Sequence, residues 1–201
     1  MGSDNDVKLR ILLAAKKLFA RQGFNATTVR QICDEADANI SLVSYHFGGK
    51  DKVFEALFTE FFPHEILKVT DPQQLDPVSG LKLLIREITA YGLQEPDMVS
   101  LLQQEIVMQS PRMDKVREFT LPAWVLLRDW LKLGREQGVF HFRSLDQTFM
   151  SVLGCIVFHN KTFYFKPLFD NNEDDTESFL ADLTLFILQS IGYVDAAASD
   201  S

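Results

Sequence analysis

The sequence predicts an all-α fold of about nine helices, with a small N-terminal three-helix unit on a larger helical body. Three observations lead there. Apolar residues recur at spacings of three and four along most of the chain, and no run alternates as a half-buried strand would. Glycines and prolines mostly fall between these periodic segments, where they end or start helices. Hydrophobic residues make up 46% of 201 positions, enough for a buried core.

Val7, Ile11, Leu12, Ala15 and Leu18/Phe19 mark a first helix over 7–22, with Lys8, Arg10, Lys16, Lys17 and Arg21 outside and Gly23 ending it. Thr27 or Thr28 caps a short helix, 28–36, whose apolar face is Val29, Ile32 and Cys33. Asp37-Ala38 form a turn, and Asn39 can cap a third helix over about 40–46. Gly48-Gly49 break the chain again. A longer helix runs from Lys50 to Glu60 or beyond, and prolines 63, 72 and 77 mark loosely structured connections.

Further helices are expected at 79–94, from Pro96 to about Gln109, at 112–137, at 145–165 and at 176–192. Pro122 should kink or divide the helix over 112–137. The acidic stretch 170–175 reads as a solvated loop and the tail 195–201 as disordered. The boundary expected between the N-terminal and the larger unit lies at residue 50, giving 1–50 and 51–201.

The net charge of −8 divides unevenly, with +2 over residues 1–52 and −10 over the remainder. A weakly basic end can sit on phosphates while the acidic body limits non-specific adhesion. No apolar run approaches the roughly 20 residues that span a bilayer, and no secretory signal is expected. Two distant cysteines, Cys33 and Cys155, fit buried thiols in a cytoplasmic protein rather than a disulfide framework. GxSxG, P-loop, HExxH and GxGxxG patterns are missing, and His46, His64, His141 and His159 lack metal-ligand spacing. Neither catalysis, nor a cofactor, nor a metal site is expected.

The segment from Thr27 to Lys50 has helix-turn-helix proportions: two short helices joined by a turn of three to four residues. Val43 and Phe47, four apart, can anchor the second helix. Ser41, Leu42, Ser44, Tyr45 and His46 are then left to look outward. The run "LFARQGF", then "TTVRQICDEAD", then "SYHFGGKDKVFEALF", resembles the TetR/AcrR family of one-component transcriptional regulators over about residues 7–58. Asp37 stands where the family usually has Gly, and Asp tolerates the positive φ of such a turn better than most residues. Ile40 and Leu42 are apolar where many relatives carry polar base readers.

The resemblance implies a repressor on a palindromic operator in double-stranded DNA. It implies phosphate contacts from Thr28 and Lys50, a base or phosphate contact from Arg30, base reading by Ser41, Leu42 and Ser44, and backbone contacts from Tyr45 and His46, with Asn39 beside them. It also implies a body that forms a homodimer and holds an effector.

For the dimer, the broad apolar faces of 145–165 and 176–192 point to Phe149, Leu153, Ile156, Phe179, Leu183, Phe186 and Ile187, although part of that set must be core. For a small apolar or aromatic effector, candidates are Met98, Leu102, Glu105, Met108, Phe119, Trp124, Leu127, Phe149, Phe158 and His159. A DNA-binding protein without an effector, or a helical interaction module, are the alternatives. A solid core in the body would favour the former, and a blocked surface around Ser41–His46 the latter.

Overall fold

A computed structural model describes residues 4–63, 71–158, 162–169 and 176–194. Among the described residues every regular element is helical: α1 (Asp4–Ala26), α2 (Val29–Ala36), α3 (Ile40–Phe47), α4 (Lys50–Phe61), α5 (Pro77–Gln94), α6 (Pro96–Val107), α7 (Met113–Glu136), α8 (Leu145–Phe158), α9 (Thr162–Phe165) and α10 (Thr176–Ser190). Short 3₁₀ turns occupy Pro72–Gln74 and Lys166–Leu168. Nine of the described helices have two turns or more, in line with the expected fold class. The acidic stretch 170–175 and the tail 195–201 lie outside the described residues.

The chain forms two compact units, residues 1–62 with 95–119 and residues 63–94 with 120–201. The unit that carries the helix-turn-helix therefore does not stop at residue 50. It takes in all of α4, all of α6 and the start of α7, because the long α1 and α4 need more apolar cover than three short helices supply. Its core joins Ile11, Leu12, Ala15 and Phe19 of α1 to Ile32, Val43, Phe54, Leu57, Phe58, Met98, Leu101 and Val116. Aromatic rings bind it together. Phe24 meets Phe54 edge-on at 5.5 Å, and Phe58 stacks on Phe119 at 4.9 Å.

The second unit is built around Trp130. Leu81, Leu84, Ile85, Leu127, Leu131, Phe140, Val152, Ile156, Leu183 and Ile187 are buried with it, and its indole N–H donates to the Pro72 carbonyl at 2.9 Å. Gly80 makes the closest approach possible, since a Cβ there would lie 2.2 Å from the indole.

Of the two outcomes expected at Pro122, a kink or a division, division does not occur: α7 runs from Met113 to Glu136 with the proline inside it. Pro122 lies on the exposed side, where water can solvate the carbonyl it leaves unpaired, while Ala123, Leu126, Leu127 and Trp130 are buried along the same helix. Burial of that face outweighs the lost hydrogen bond.

Candidate nucleic-acid interface

Local sequence builds the reading head. Gly23, at φ 82°, breaks α1 and lets the chain turn toward α2. Thr28 caps α2 with a capping box. Its hydroxyl oxygen accepts from the Gln31 N–H at 3.2 Å, and Gln31 Oε1 accepts from the Thr28 N–H at 2.9 Å. Asp37 closes α2 in the left-handed region, φ 47°, as the turn requires. Asn39 caps α3, its Oδ1 accepting from both the Ser41 N–H at 2.9 Å and the Ser41 hydroxyl at 2.8 Å. Gly48, at φ 82°, ends α3.

The expected outward face is largely present. Arg30, Ser41, Ser44 and Tyr45 are exposed, Tyr45 at 76%, and Leu42 is half-buried. Val43 is fully buried and Phe47 half-buried, so the anchoring pair holds α3 down as its spacing suggested. Thr28 and Asn39 sit on the same head, but their side-chain oxygens serve as caps.

Two residues depart from the expectation. The His46 side chain turns inward and is only 6% exposed, with Nε2 3.5 Å from Asp4 Oδ1. It sits one residue before Phe47 on the turn of α3 that packs down, so it faces α1 instead of solvent. Lys50 is likewise occupied. Its Nζ donates to the Phe24 carbonyl at 2.9 Å and to the Thr27 carbonyl at 2.7 Å, and lies 4.2 Å from the centre of the Phe24 ring. Burial holds its pKa below the ordinary lysine value, and the nearby Arg112 adds to the shift against the opposing effect of Asp51. Two of its three N–H donors are therefore spent on backbone carbonyls.

Sequence reading missed several residues that shape this head. Arg10 Nη1 donates to the Ala36 carbonyl at 3.0 Å and thereby caps the C-terminal end of α2. Lys17 pairs with Glu35 at 2.5 Å and holds its carboxyl below the ordinary range. Arg112 stacks 3.8 Å from the centre of the Phe24 ring while forming a two-pronged pair with Glu105. The basic face of α1 was visible in the sequence. Nothing in the spacing of Arg112 announced its partner.

The effector candidates fall into two groups. Met98, Leu102, Glu105, Met108 and Phe119 belong to the first unit, and Trp124, Leu127, Phe149 and Phe158 to the second. Met98 and Leu127 are fully buried core, whereas Met108 and Phe158 are exposed. Glu105 is not a polar group waiting in an apolar wall, because Arg112 and the Ser110 hydroxyl already occupy its carboxylate. Phe158 lines a shallow apolar hollow of the second unit with Met150, Gly154, Cys155 and Phe165. His159 lies outside the described residues.

The dimer candidates also divide. Ile156, Leu183 and Ile187 are buried within the chain's own core, and Phe149, Leu153 and Phe179 are half-buried against it. Of the α10 candidates Phe186 stands out, at 59% exposure, with its neighbour Leu185 at 54%.

Among the described residues no helix is long and apolar enough to cross a membrane. Residues 11–57 match the bacterial regulatory proteins of the tetR family, and residues 77–187 match the tetracyclin repressor-like C-terminal domain. The HTH-type transcriptional repressor NicS of Pseudomonas putida is 26% identical over 182 residues, 85% of this chain and 79% of that protein. The probable HTH-type transcriptional regulator YttP of Bacillus subtilis is 42% identical over 55 residues, 27% of each chain. Among solved structures, HlyIIR, a hemolysin II transcriptional regulator, superposes with a TM-score of 0.75 at 24% identity, covering 94% of this chain and 98% of that one. A tetR-family regulatory protein from Rhodococcus RHA1 gives 0.73 at 17% identity, covering 97% and 100%. With its reading head and its body both matched, the chain belongs to the TetR family and is a DNA-binding transcriptional regulator.

Proposed function

We propose that this regulator represses transcription as a homodimer seated on a palindromic operator, without catalysing any reaction, in the cytoplasm. The observation that carries the reading is the polar outer face of α3. Ser41, Ser44 and Tyr45 are exposed there, on a helix held by Val43, beside the exposed Arg30 of α2. Serine hydroxyls on a short anchored helix suit base edges in a major groove, Tyr45 suits the DNA backbone, and Arg30 suits a base or a phosphate. A half-buried side chain such as Leu42 suits a thymine methyl.

A two-fold pair of such heads must meet successive major grooves, about 34–36 Å apart. Selection of duplexes from a randomised pool by the full-length chain is expected to yield an inverted repeat with that spacing. Enrichment of single, unrepeated sites would overturn the dimeric reading.

Release by a small apolar or aromatic molecule completes the proposal. It rests on the chain's family and on its 17 phenylalanines. A ligand can release DNA only to the extent that it prefers a conformation with a different head spacing. Such a preference would appear as weaker binding to the selected duplex when a panel of aromatic compounds is added.

A further inference from the structure

Three segments distant in sequence meet at Phe24, and the way they meet ties the two ends of the helix-turn-helix together. The chain enters the motif through the corner Phe24–Thr28 that leads into α2, and leaves it through Gly48-Gly49 into Lys50 of α4. Lys50 closes the gap, donating to the carbonyls of both Phe24 and Thr27. Thr27 is fully buried and turns its own hydroxyl onto the Gly23 carbonyl at 2.8 Å. The corner is therefore held from inside the motif.

It is also held from outside. Helix α6 ends in a tight turn in which Gln109 adopts φ 46°, and this turn presents Ser110 and Arg112. The guanidinium of Arg112 lies 3.8 Å from the Phe24 ring centre and 5.5 Å from that of Phe54. Its Nε and Nη2 reach the two oxygens of Glu105 at 2.9 and 3.0 Å. The same carboxylate accepts the Ser110 hydroxyl, whose oxygen accepts the Arg112 N–H at 3.1 Å. Both charged side chains are almost wholly buried, at 15% and 5% exposure.

A guanidinium forked onto a carboxylate is fixed in plane and orientation, which an ammonium in the same place would not be. Glu105 also neutralises a cation that shares the Phe24 ring with Lys50. One residue before Glu105, Gln104 donates to the Ala20 carbonyl at 2.6 Å, so α6 grips α1 just ahead of its break.

We propose that Arg112 is a positioning residue for DNA recognition. Clamped by Glu105, it holds the Phe24 corner, and with it the placement of α2 and α3, without touching DNA itself. The inference rests on the reading of α2 and α3 as the DNA-contacting helices. It assigns the control of their placement to the turn between α6 and α7.

The test uses full-length Arg112→Gln, Arg112→Lys and Glu105→Gln. Each is measured against the duplex that the wild-type chain enriches from a random pool and against a scrambled duplex of the same composition, together with its melting temperature. The expected result is a loss of about tenfold on the enriched duplex, little change on the scrambled one, and an unchanged salt slope. Arg112→Lys should not rescue, because it keeps the charge and loses the fork. In a double-mutant cycle with Phe24→Leu the losses should be non-additive.

An equal loss on both duplexes, tracking the folded fraction, would make Arg112 merely structural and overturn the proposal. So would unchanged affinity. A salt slope lowered by about one would show direct phosphate contact and overturn it as well. Should Arg112→Gln not fold, Glu105→Gln, which keeps shape and removes only the charge, decides by the same three outcomes. Failure of the wild-type chain to enrich any duplex would overturn the DNA-recognition reading itself, and the proposal with it, before any variant is compared.

Discussion

Lys50 Nζ lies 2.7 Å from the carbonyl oxygen of Thr27, a residue with no exposed surface. The first residue of α4 thus supplies the donor that the turn before α2 lacks. An ion–carbonyl bond of this kind stabilises more than a neutral one, and its loss leaves a carbonyl unpaired inside the protein. Lys50→Ala should therefore cost about 1–3 kcal/mol of stability, seen as a lower melting temperature. The slope of DNA affinity against salt should stay as in the wild type. A slope reduced by about one would instead return Lys50 to a phosphate.

Ser44 is exposed on the outer face of α3 and its hydroxyl takes no part in capping, whereas the Thr28 hydroxyl caps α2 and the Ser41 hydroxyl donates to the Asn39 cap. Ser44→Ala should change preference at one base pair by about 1–3 kcal/mol and leave stability alone. Repeating the duplex selection with the variant checks this. An identical consensus would remove Ser44 from the base-reading set.

Exposure separates Phe186 and Leu185, open to a partner, from the core residues of α10. Phe186→Glu or Leu185→Glu should give a folded monomer by light scattering, with operator binding sharply weakened. Leu183→Ala should instead lower the melting temperature by an amount corresponding to about 2–5 kcal/mol, because Leu183 is buried in the chain's own core. A folded dimer that survives Phe186→Glu would place the interface elsewhere.

Asp76 opens α5, its Oδ1 accepting from the N–H groups of Val78 and Ser79, both at 3.0 Å. The Ser79 hydroxyl, and after it these backbone N–H groups, hold its carboxyl below the ordinary value of 3.8. Because the folded state binds the proton less tightly than the unfolded one, the cap's contribution is complete above that ordinary value. It is lost as pH falls through the lower folded value. Asp76→Ala should cost about 1 kcal/mol at neutral pH, and the gap from wild type should close in strong acid. Paired thermal melts across pH measure it, and a gap independent of pH would refute the assignment.

Gly80→Ala would push a methyl group to 2.2 Å from the Trp130 indole, in a core with no room to yield. A loss of about 1–3 kcal/mol is expected, with a shift in tryptophan emission as the Pro72 contact is disturbed. Unchanged stability would mean that the indole can slide aside.

The helix start at Pro77 was legible, since Asp followed by Pro is a helix-start signal, yet periodicity alone began that helix two residues late, at 79, and left Pro77 in a loose connection. The sequence left both a kink and a division open at Pro122, because a sequence window carries no measure of how much burial the flanking residues gain. In α10 the repeating apolar stripe offered both core and surface residues at once. Leu183 and Leu185 differ by two positions, and only the packing of α5 and α8 against one side tells them apart.

By itself the sequence determined most of the helices, a cap at Thr27 or Thr28 and another at Asn39, the left-handed turn at Asp37 and the anchoring of α3 by Val43 and Phe47. All of these depend on residues within a few positions of one another, where backbone geometry leaves few alternatives. Only the tertiary structure decided that His46 faces inward, that Lys50 holds a corner of the motif, and that Arg112 reaches Phe24. Those outcomes depend on which long side chain finds a carbonyl, a carboxylate or a ring contributed by a distant segment. An ammonium or guanidinium looks the same in sequence whether it ends on a phosphate or inside its own protein.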